Sequence, residues 1–158
     1  VFIPKEQERV ETLRSCGILD TPREDQFDRV VFEATQICRT PMALVAFIDS
    51  DRVWMKAKVG FDLREVPRSD SFCAAILFCA DLLVVEDARE DSRFARNKHV
   101  AGPPFVRFYA GVPIRAAIDV PIGALCVLDT RPRKLTAEQI GHLSALAHAV
   151  EHLLWPPS

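Results

Sequence analysis

Hydrophobic positions along the chain switch between helical spacing and strand-like runs, and the switches mark the elements. Two short apolar runs, residues 108–114 (FYAGVPI) and 122–128 (IGALCVL), flank a connector holding Asp119 and Pro121. Their length and their content of β-branched, aromatic and small residues predict strands. Apolar side chains fall on both parities, so both faces should be covered, as expected of neighbouring antiparallel strands at the centre of a sheet. Pro113 cannot donate to a ladder and predicts a strand end or a bulge. Residues 42–48 read as a buried strand, and residues 82–85 as another short one. Residues 53–59 alternate: Val53, Met55, Ala57 and Val59 on one side, Trp54, Lys56 and Lys58 on the other. That pattern predicts a half-exposed strand, paired as a hairpin through the turn Asp49-Ser50-Asp51 and closed by Gly60.

Helical spacing governs the two ends. Residues 4–16 predict a helix with a thin stripe, Val10 and Leu13, stopped by Gly17. Thr21 then reads as an N-cap, with Pro22 at the first helical position and Glu24 three residues on. Phe27, Val30, Val31, Ala34, Ile37 and Cys38 follow as an amphipathic stripe, ended at Thr40-Pro41. Near the other end, Thr136 and Gln139 form a capping-box pattern. Ile140, Leu143, Leu146, Ala147, Val150, Leu153 and Leu154 line one face of a last helix, stopped by Pro156. Between these ends, residues 61–68 read as irregular. Residues 72–78 predict a short apolar helix capped by Asp70 or Ser71. Residues 87–97 are charged around Phe94, where Asp87, Arg89, Asp91 and Arg93 could form a solvated ion network, and Gly102-Pro103-Pro104 breaks the chain. The whole predicts one α+β domain with the sheet in the middle.

Composition narrows the function classes. The 158 residues suit a single domain, with 49% hydrophobic and 27% charged residues. A net charge of -2 gives no electrostatic case for nucleic acid or an anionic membrane. The longest apolar run, residues 72–80, is too short to span a bilayer. No signal peptide is visible, and a start at Val1 leads to the expectation of an excised segment. Five cysteines without a C-x-x-C spacing are expected to be reduced thiols of a cytoplasmic protein.

Candidate chemistry is sparse. There is no G-x-S-x-G, P-loop, H-E-x-x-H or G-x-G-x-x-G. His148 and His152 have metal-compatible spacing but no third ligand, and a solvated helix face explains them. Cys16, Cys38 and Cys126 read as small core hydrophobes. Cys73, near a helix N-terminus, reads either as a packed thiol or as one with a lowered pKa, and Cys79 six residues on is its candidate oxidation partner. Trp54, Phe72, Phe94, Phe105, Phe108 and Tyr109 read either as core or as a pocket lining, with Ile76 and Cys73 beside them. Parity sets Tyr109, Gly111, Pro113 and Arg115 apart from Phe108, Ala110, Val112 and Ile114. The first set carries polar handles and is the one expected nearer a ligand. Arg107 and Arg115 read as an anion clamp or as surface ion pairs.

Several separated motifs occur together: GILDTP at 17–22, SFC at 71–73, DAREDSRF at 87–94, FYAGVPI at 108–114 and GALCVLD at 123–129. In this order they resemble the GAF domain, and within it the subgroup found in bacterial sensor histidine kinases and diguanylate cyclases. The resemblance covers residues 8–152. It implies a central antiparallel sheet of about six strands. By the same resemblance, the terminal helices (1–20 with its linker, and 136–154) pack on one face, and loops and short helices roof a pocket on the other. It also implies a homodimer through the terminal helices and a fused or partner output domain. The departures are informative. Ala75 stands where many members of the subgroup carry a histidine. Asn97-Lys98 and Phe105 are present, but Tyr109-Ala110 replace the acidic pair of the cyclic-nucleotide binders. Cyclic nucleotide, bilin and haem are therefore unsupported, and the cysteines do not resemble those of the GAF-type methionine sulfoxide reductases. The expected function is a non-catalytic sensory domain of a bacterial signal transduction protein that binds a small molecule. The ligand is expected to meet Trp54, Phe72, Cys73, Ile76, Phe94, Phe105, Tyr109, Gly111 and Arg115. The alternatives are a structural dimerisation module without ligand and a cysteine-based redox sensor.

Overall fold

A computed structural model describes residues 5–79, 81–116 and 120–155. Pro4, Ala80, Asp119 and Pro156 lie outside the described residues. The chain begins with α1 (Glu6–Ser15) and α2 (Asp25–Cys38), then β1 (Met42–Ile48), β2 (Arg52–Val59) and β3 (Glu65–Pro67). Three short 3-10 turns, Arg68–Asp70, Cys73–Phe78 and Ala88–Glu90, enclose β4 (Leu83–Val85). Then come α3 (Lys98–Ala101), β5 (Phe108–Arg115), β6 (Pro121–Asp129) and α4 (Ala137–Leu154). One antiparallel sheet of six strands runs β3-β2-β1-β6-β5-β4, the α+β architecture expected.

The two most apolar strands, β1 and β6, lie side by side in the middle, and β5 flanks β6. Burial on both faces is what their unbroken hydrophobicity requires. One face carries α2 and α4, which pack on each other, over a core that includes Val45, Phe47, Phe108, Ala110 and Val127. Leu13 of α1 joins this core. The other face carries Leu44, Tyr109, Cys126 and Leu128 under Phe61, Phe72, Cys73 and Ile76. Pro113 stays within β5 because β4 pairs only with Tyr109 to Gly111, and the register breaks just beyond, between Ile114 and Arg115.

Helix boundaries follow local chemistry. Gly17, at a φ of 71°, takes the left-handed turn that ends α1. Arg39 takes a left-handed conformation at the end of α2. The Thr136–Gln139 capping box is complete in both directions. Thr21 is a correction. Its hydroxyl donates to the Ile18 carbonyl and receives the Lys56 ammonium, so α2 starts later, after Glu24, with no side-chain cap.

The second correction lies in β2. Ala57 pairs with Val45 while Met55 pairs with Ala46, so Lys56 is an extra residue in the ladder. Such a bulge shifts the alternation by one. Val53 and Met55 face the loop side, whereas Ala57 and Val59 pack with the helix side. Lys56 is fully buried rather than solvated: its ammonium reaches Glu24 at 2.6 Å, the Thr21 hydroxyl at 2.8 Å and the Pro22 carbonyl at 2.5 Å. The α1–α2 linker supplies all three acceptors, which is how a buried ammonium is accommodated. The expected irregular segment 61–68 also contains β3, which pairs with Arg52 to Trp54 at the sheet edge.

Candidate functional site

On the loop side of the sheet, four side chains form a floor: Leu44 of β1, Met55 of β2, Tyr109 of β5 and Leu128 of β6. Phe61, Phe72, Cys73 and His99 close over it, leaving a cavity of about 20 Å³. That volume holds roughly one water. The roof is built by the local sequence. Ser71 accepts the Cys73 N–H and starts the 3-10 turn. Asn97 accepts the His99 N–H, starting α3, and donates to the Asp70 carbonyl, which ties α3 to the turn before Ser71.

Two polar atoms here make no well-formed hydrogen bond, the Tyr109 hydroxyl, which has only the Cys73 and Cys126 thiols beside it, and His99 Nε2. Buried polar atoms are nearly always paired, so each marks a place where a partner is wanted. Phe72 stacks on the Tyr109 ring at 5.5 Å and on Phe94 at 4.6 Å. Phe61 meets His99 edge-on at 5.7 Å. Phe61 and His99 also line an outer depression of about 300 Å³ with Gly60, Leu63, Lys98 and Pro103. The aromatic pair is thus the wall between the outside and the cavity.

Two thiols meet where the roof rests on the sheet. Cys73 and Cys126 stand 3.6 Å apart. Hydrogen bonding from Cys126 lowers the Cys73 thiol, while burial pushes Cys126 up. Burial likewise raises the Tyr109 phenol, so it stays protonated beside them.

The structure separates the expected site residues. Phe72, Cys73 and Tyr109 line the cavity. Ile76 is buried in the same core. Phe94 backs Phe72 from outside. Gly111 lies under the Tyr109 ring and hydroxyl, where a Cβ would overlap them. Trp54 is a correction: the pairing that places it opposite Phe47 puts it in the helix-side core, with Arg64 over its ring. Phe105 is a second, being 46% exposed at a positive φ with Arg107 above it. Arg115 sits at the end of β5, bridged to Asp81 at 3.4 Å, while its N–H donates to Glu151 of α4. Arg107 donates to the Val100 carbonyl, so it braces α3. The partner of Cys73 is Cys126, whereas the Cys79 thiol turns to the Ala75 carbonyl. Asp87–Arg89 and Asp91–Arg93 pair locally, as the charged pattern suggested. His148 bonds Glu151, and among the described residues no cluster of three or more His, Cys, Asp or Glu could hold a metal. Sequence reasoning missed Met55, Phe61 and His99. Only the bulge at Lys56 and the docking of α3 bring them to the site.

Tyr109→Phe is expected to stabilise the domain by about 1 kcal/mol, because it deletes a buried hydroxyl that has only weak thiol partners and leaves the ring in place. Urea denaturation checks this, and a loss of stability would show that the hydroxyl is already satisfied.

Comparison with known proteins gives a consistent result. The model of the GAF domain matches residues 22–154. A cyclic di-GMP phosphodiesterase of Pseudomonas aeruginosa is 37% identical over 153 residues, which is 94% of this chain and 26% of that protein. The chain therefore spans about a quarter of that relative's length. Among solved structures, the GAF domain of an Acinetobacter phosphoenolpyruvate-protein phosphotransferase superposes with a TM-score of 0.66 at 16% identity, covering 93% of this chain and 92% of that one. A domain of a two-component sensor histidine kinase protein from Sinorhizobium meliloti does so with 0.65 at 13% identity, covering 84% and 91%. At these identities the structures speak for the fold. No helix among the described residues is long and apolar enough to cross a membrane.

Proposed function

The chain belongs to the GAF domain family, and from that premise we propose that it is a regulatory module that binds a small molecule between Tyr109 and His99. The observation that carries this reading is the small, apolar-lined cavity with two polar atoms that make no well-formed hydrogen bond. A ligand larger than a water must displace the Phe61–His99 wall or lift the Cys73–Phe78 turn. Binding and movement of the roof are then one event, and a ligand that prefers the lifted roof shifts the population toward it.

Two connections would carry the movement to the terminal helices. Asp70 and Ser71 line the cavity. Arg68, at the start of the same turn, bonds Glu6 of α1 at 2.6 Å. Glu6 also holds Arg9, whose guanidinium donates to the Ile48 carbonyl at 2.7 Å. At the other end of the sheet, Arg115 N–H to Glu151 joins β5 to α4. In the full-length protein the regulated output would be an enzyme of cyclic di-GMP turnover or a histidine kinase, the activities named for the relatives.

Native mass spectrometry of the freshly purified domain, with an absorbance spectrum on the same sample, tests the binding. A discrete extra mass that is lost in Tyr109→Phe is the expected result. A clean apo mass in both proteins, with identical hydrogen exchange in residues 61–78, would remove the ligand and favour a module that only dimerises.

The α1 link has its own pH signature. Burial would raise Glu6, but the bonds from Arg9 and Arg68 outweigh it and hold the carboxyl down at about 2. A depressed carboxylate contributes stability above its unfolded value of 4.5 and loses that contribution as pH falls toward 2. Glu6→Gln should therefore cost about 1 kcal/mol at neutral pH. The difference between wild type and Glu6→Gln should shrink between pH 4.5 and 2 in thermal melts. A difference independent of pH would show that the ion pairs do not hold α1.

A further inference from the structure

The sheet and the roof of the cavity meet at a pair of sulfurs. Cys73 opens the turn and Cys126 sits inside β6, 53 residues further along, yet their sulfurs are 3.6 Å apart. A disulfide needs about 2.05 Å, so a closure of roughly 1.5 Å would join them. Cys126 is held on both sides, by Leu44 of β1 and Gly111 of β5. Cys73 is on a short 3-10 turn outside the sheet. The turn is the part that can move.

We propose that Cys73 and Cys126 form a redox-active dithiol, closed to an intramolecular disulfide by a peroxide. The Cys73 thiolate attacks one peroxide oxygen and the O–O bond breaks. The sulfur becomes a sulfenic acid, and the other oxygen leaves as water or an alcohol after taking the proton lost by Cys73. The Cys126 thiol then gives up its proton and attacks the Cys73 sulfur. The S–S bond forms, and the sulfenic hydroxyl leaves with that proton as water. Two thiols lose two electrons and two protons, and the peroxide is reduced to an alcohol (or water) and one water.

The surroundings set the order of attack. Cys73 lines the cavity and Cys126 lies behind it, so the oxidant meets Cys73 first. Hydrogen bonding favours the Cys73 thiolate, while burial keeps Cys126 a thiol. The route in passes the Phe61–His99 wall from the outer depression. Once closed, the bond pins the turn to β6 beside the Tyr109 hydroxyl. The consequence for the cavity rests on the ligand-binding reading above; the thiol chemistry does not.

The test is peroxide treatment of the folded chain, unfolding in iodoacetamide, and mass spectrometry of the digest without reductant. The expected product is a peptide joined through Cys73 and Cys126 that dithiothreitol releases, with Cys16, Cys38 and Cys79 alkylated. Cys79→Ser should form it unchanged. In Cys126→Ala, Cys73 should stop at a sulfenic acid that dimedone traps. Cys126→Ser serves the same purpose if the alanine variant does not fold. A bond through Cys79, or full alkylation of Cys73 and Cys126 after treatment, overturns the proposal. A ligand mass in a chain that never forms the bond would leave the binding reading standing and remove this one. A bond in a chain with no ligand would do the reverse.

Discussion

Replacing Gly123 with alanine is expected to destabilise the domain by about 3 kcal/mol, the upper end of what overpacking costs. Gly123 lies in β6 between Phe47 of β1 and Ile114 of β5. A Cβ there would overlap the Ala46 carbonyl oxygen and come within 3.0 Å of the Phe47 ring and 3.2 Å of its Cα. Two of these neighbours are backbone, so no rotamer change relieves the contact. The central strands would have to part, and they carry the cores of both faces. A fall in melting temperature of roughly 6–12 °C follows for a domain of this size. Gly141→Ala is the matched comparison. Gly141 is exposed on α4 with nothing within 4 Å of its would-be Cβ, so alanine there should stabilise by about 0.8–1 kcal/mol. A cost below 1 kcal/mol for Gly123→Ala would show that β1 and β6 can move apart cheaply.

The second large effect is expected at Arg133. Its guanidinium bonds Asp129 at 2.8 Å, the Arg39 carbonyl at 2.6 Å and the Cys38 carbonyl at 2.9 Å. It therefore closes the open carbonyl end of α2 while neutralising a carboxylate that is only 4% exposed. Arg133→Ala removes both functions at once and leaves Asp129, among the described residues, with only the backbone donors of Thr130 and Arg131. Breaking one side of a buried pair costs about 3–5 kcal/mol, and the partial exposure of Arg133 places this one near 3. Arg133→Lys should recover less than half, because an ammonium cannot span the carboxylate and two carbonyls in one plane. Equal stability of the lysine and wild-type proteins in urea would show that only the charge matters.

Arg133 also shows how far the sequence could be read. In the sequence it belongs to a basic connector between β6 and α4. Nothing local says that this cation, rather than Arg131 or Lys134, will meet the end of a helix more than ninety residues earlier. Lys56 makes the same point: alternation assigned it to solvent, but one extra residue in the ladder buries it against the α1–α2 linker. Trp54, grouped with the pocket aromatics, instead pairs opposite Phe47 and joins the helix-side core. A bulge is set by how β2 registers against β1, and register is a property of two strands together. Cys126 looked like a small core hydrophobe because its neighbours in the chain are apolar. The thiol that faces it comes from a different layer.

The elements themselves were legible because each rests on short-range physics. Seven consecutive apolar residues in β1, the stripe on α2, the Thr136–Gln139 box and the left-handed Gly17 need no distant partner to be recognised. The split of β5 into two parities correctly separated Phe108, Ala110, Val112 and Ile114, which face the helices, from Tyr109, because β5 has no bulge before Ile114. The motifs in their order carried the family. What the sequence determined by itself, then, was the long elements (α1, α2, β1, β2, β5, β6 and α4), the α+β class and the family, while β3 and α3 escaped it. Only the tertiary structure decided which side chains share the cavity, that Cys126 faces Cys73, and that His99 Nε2 and the Tyr109 hydroxyl make no well-formed hydrogen bond. Those facts depend on strand register and on how the roof docks, and both are settled by contacts between residues far apart in the chain.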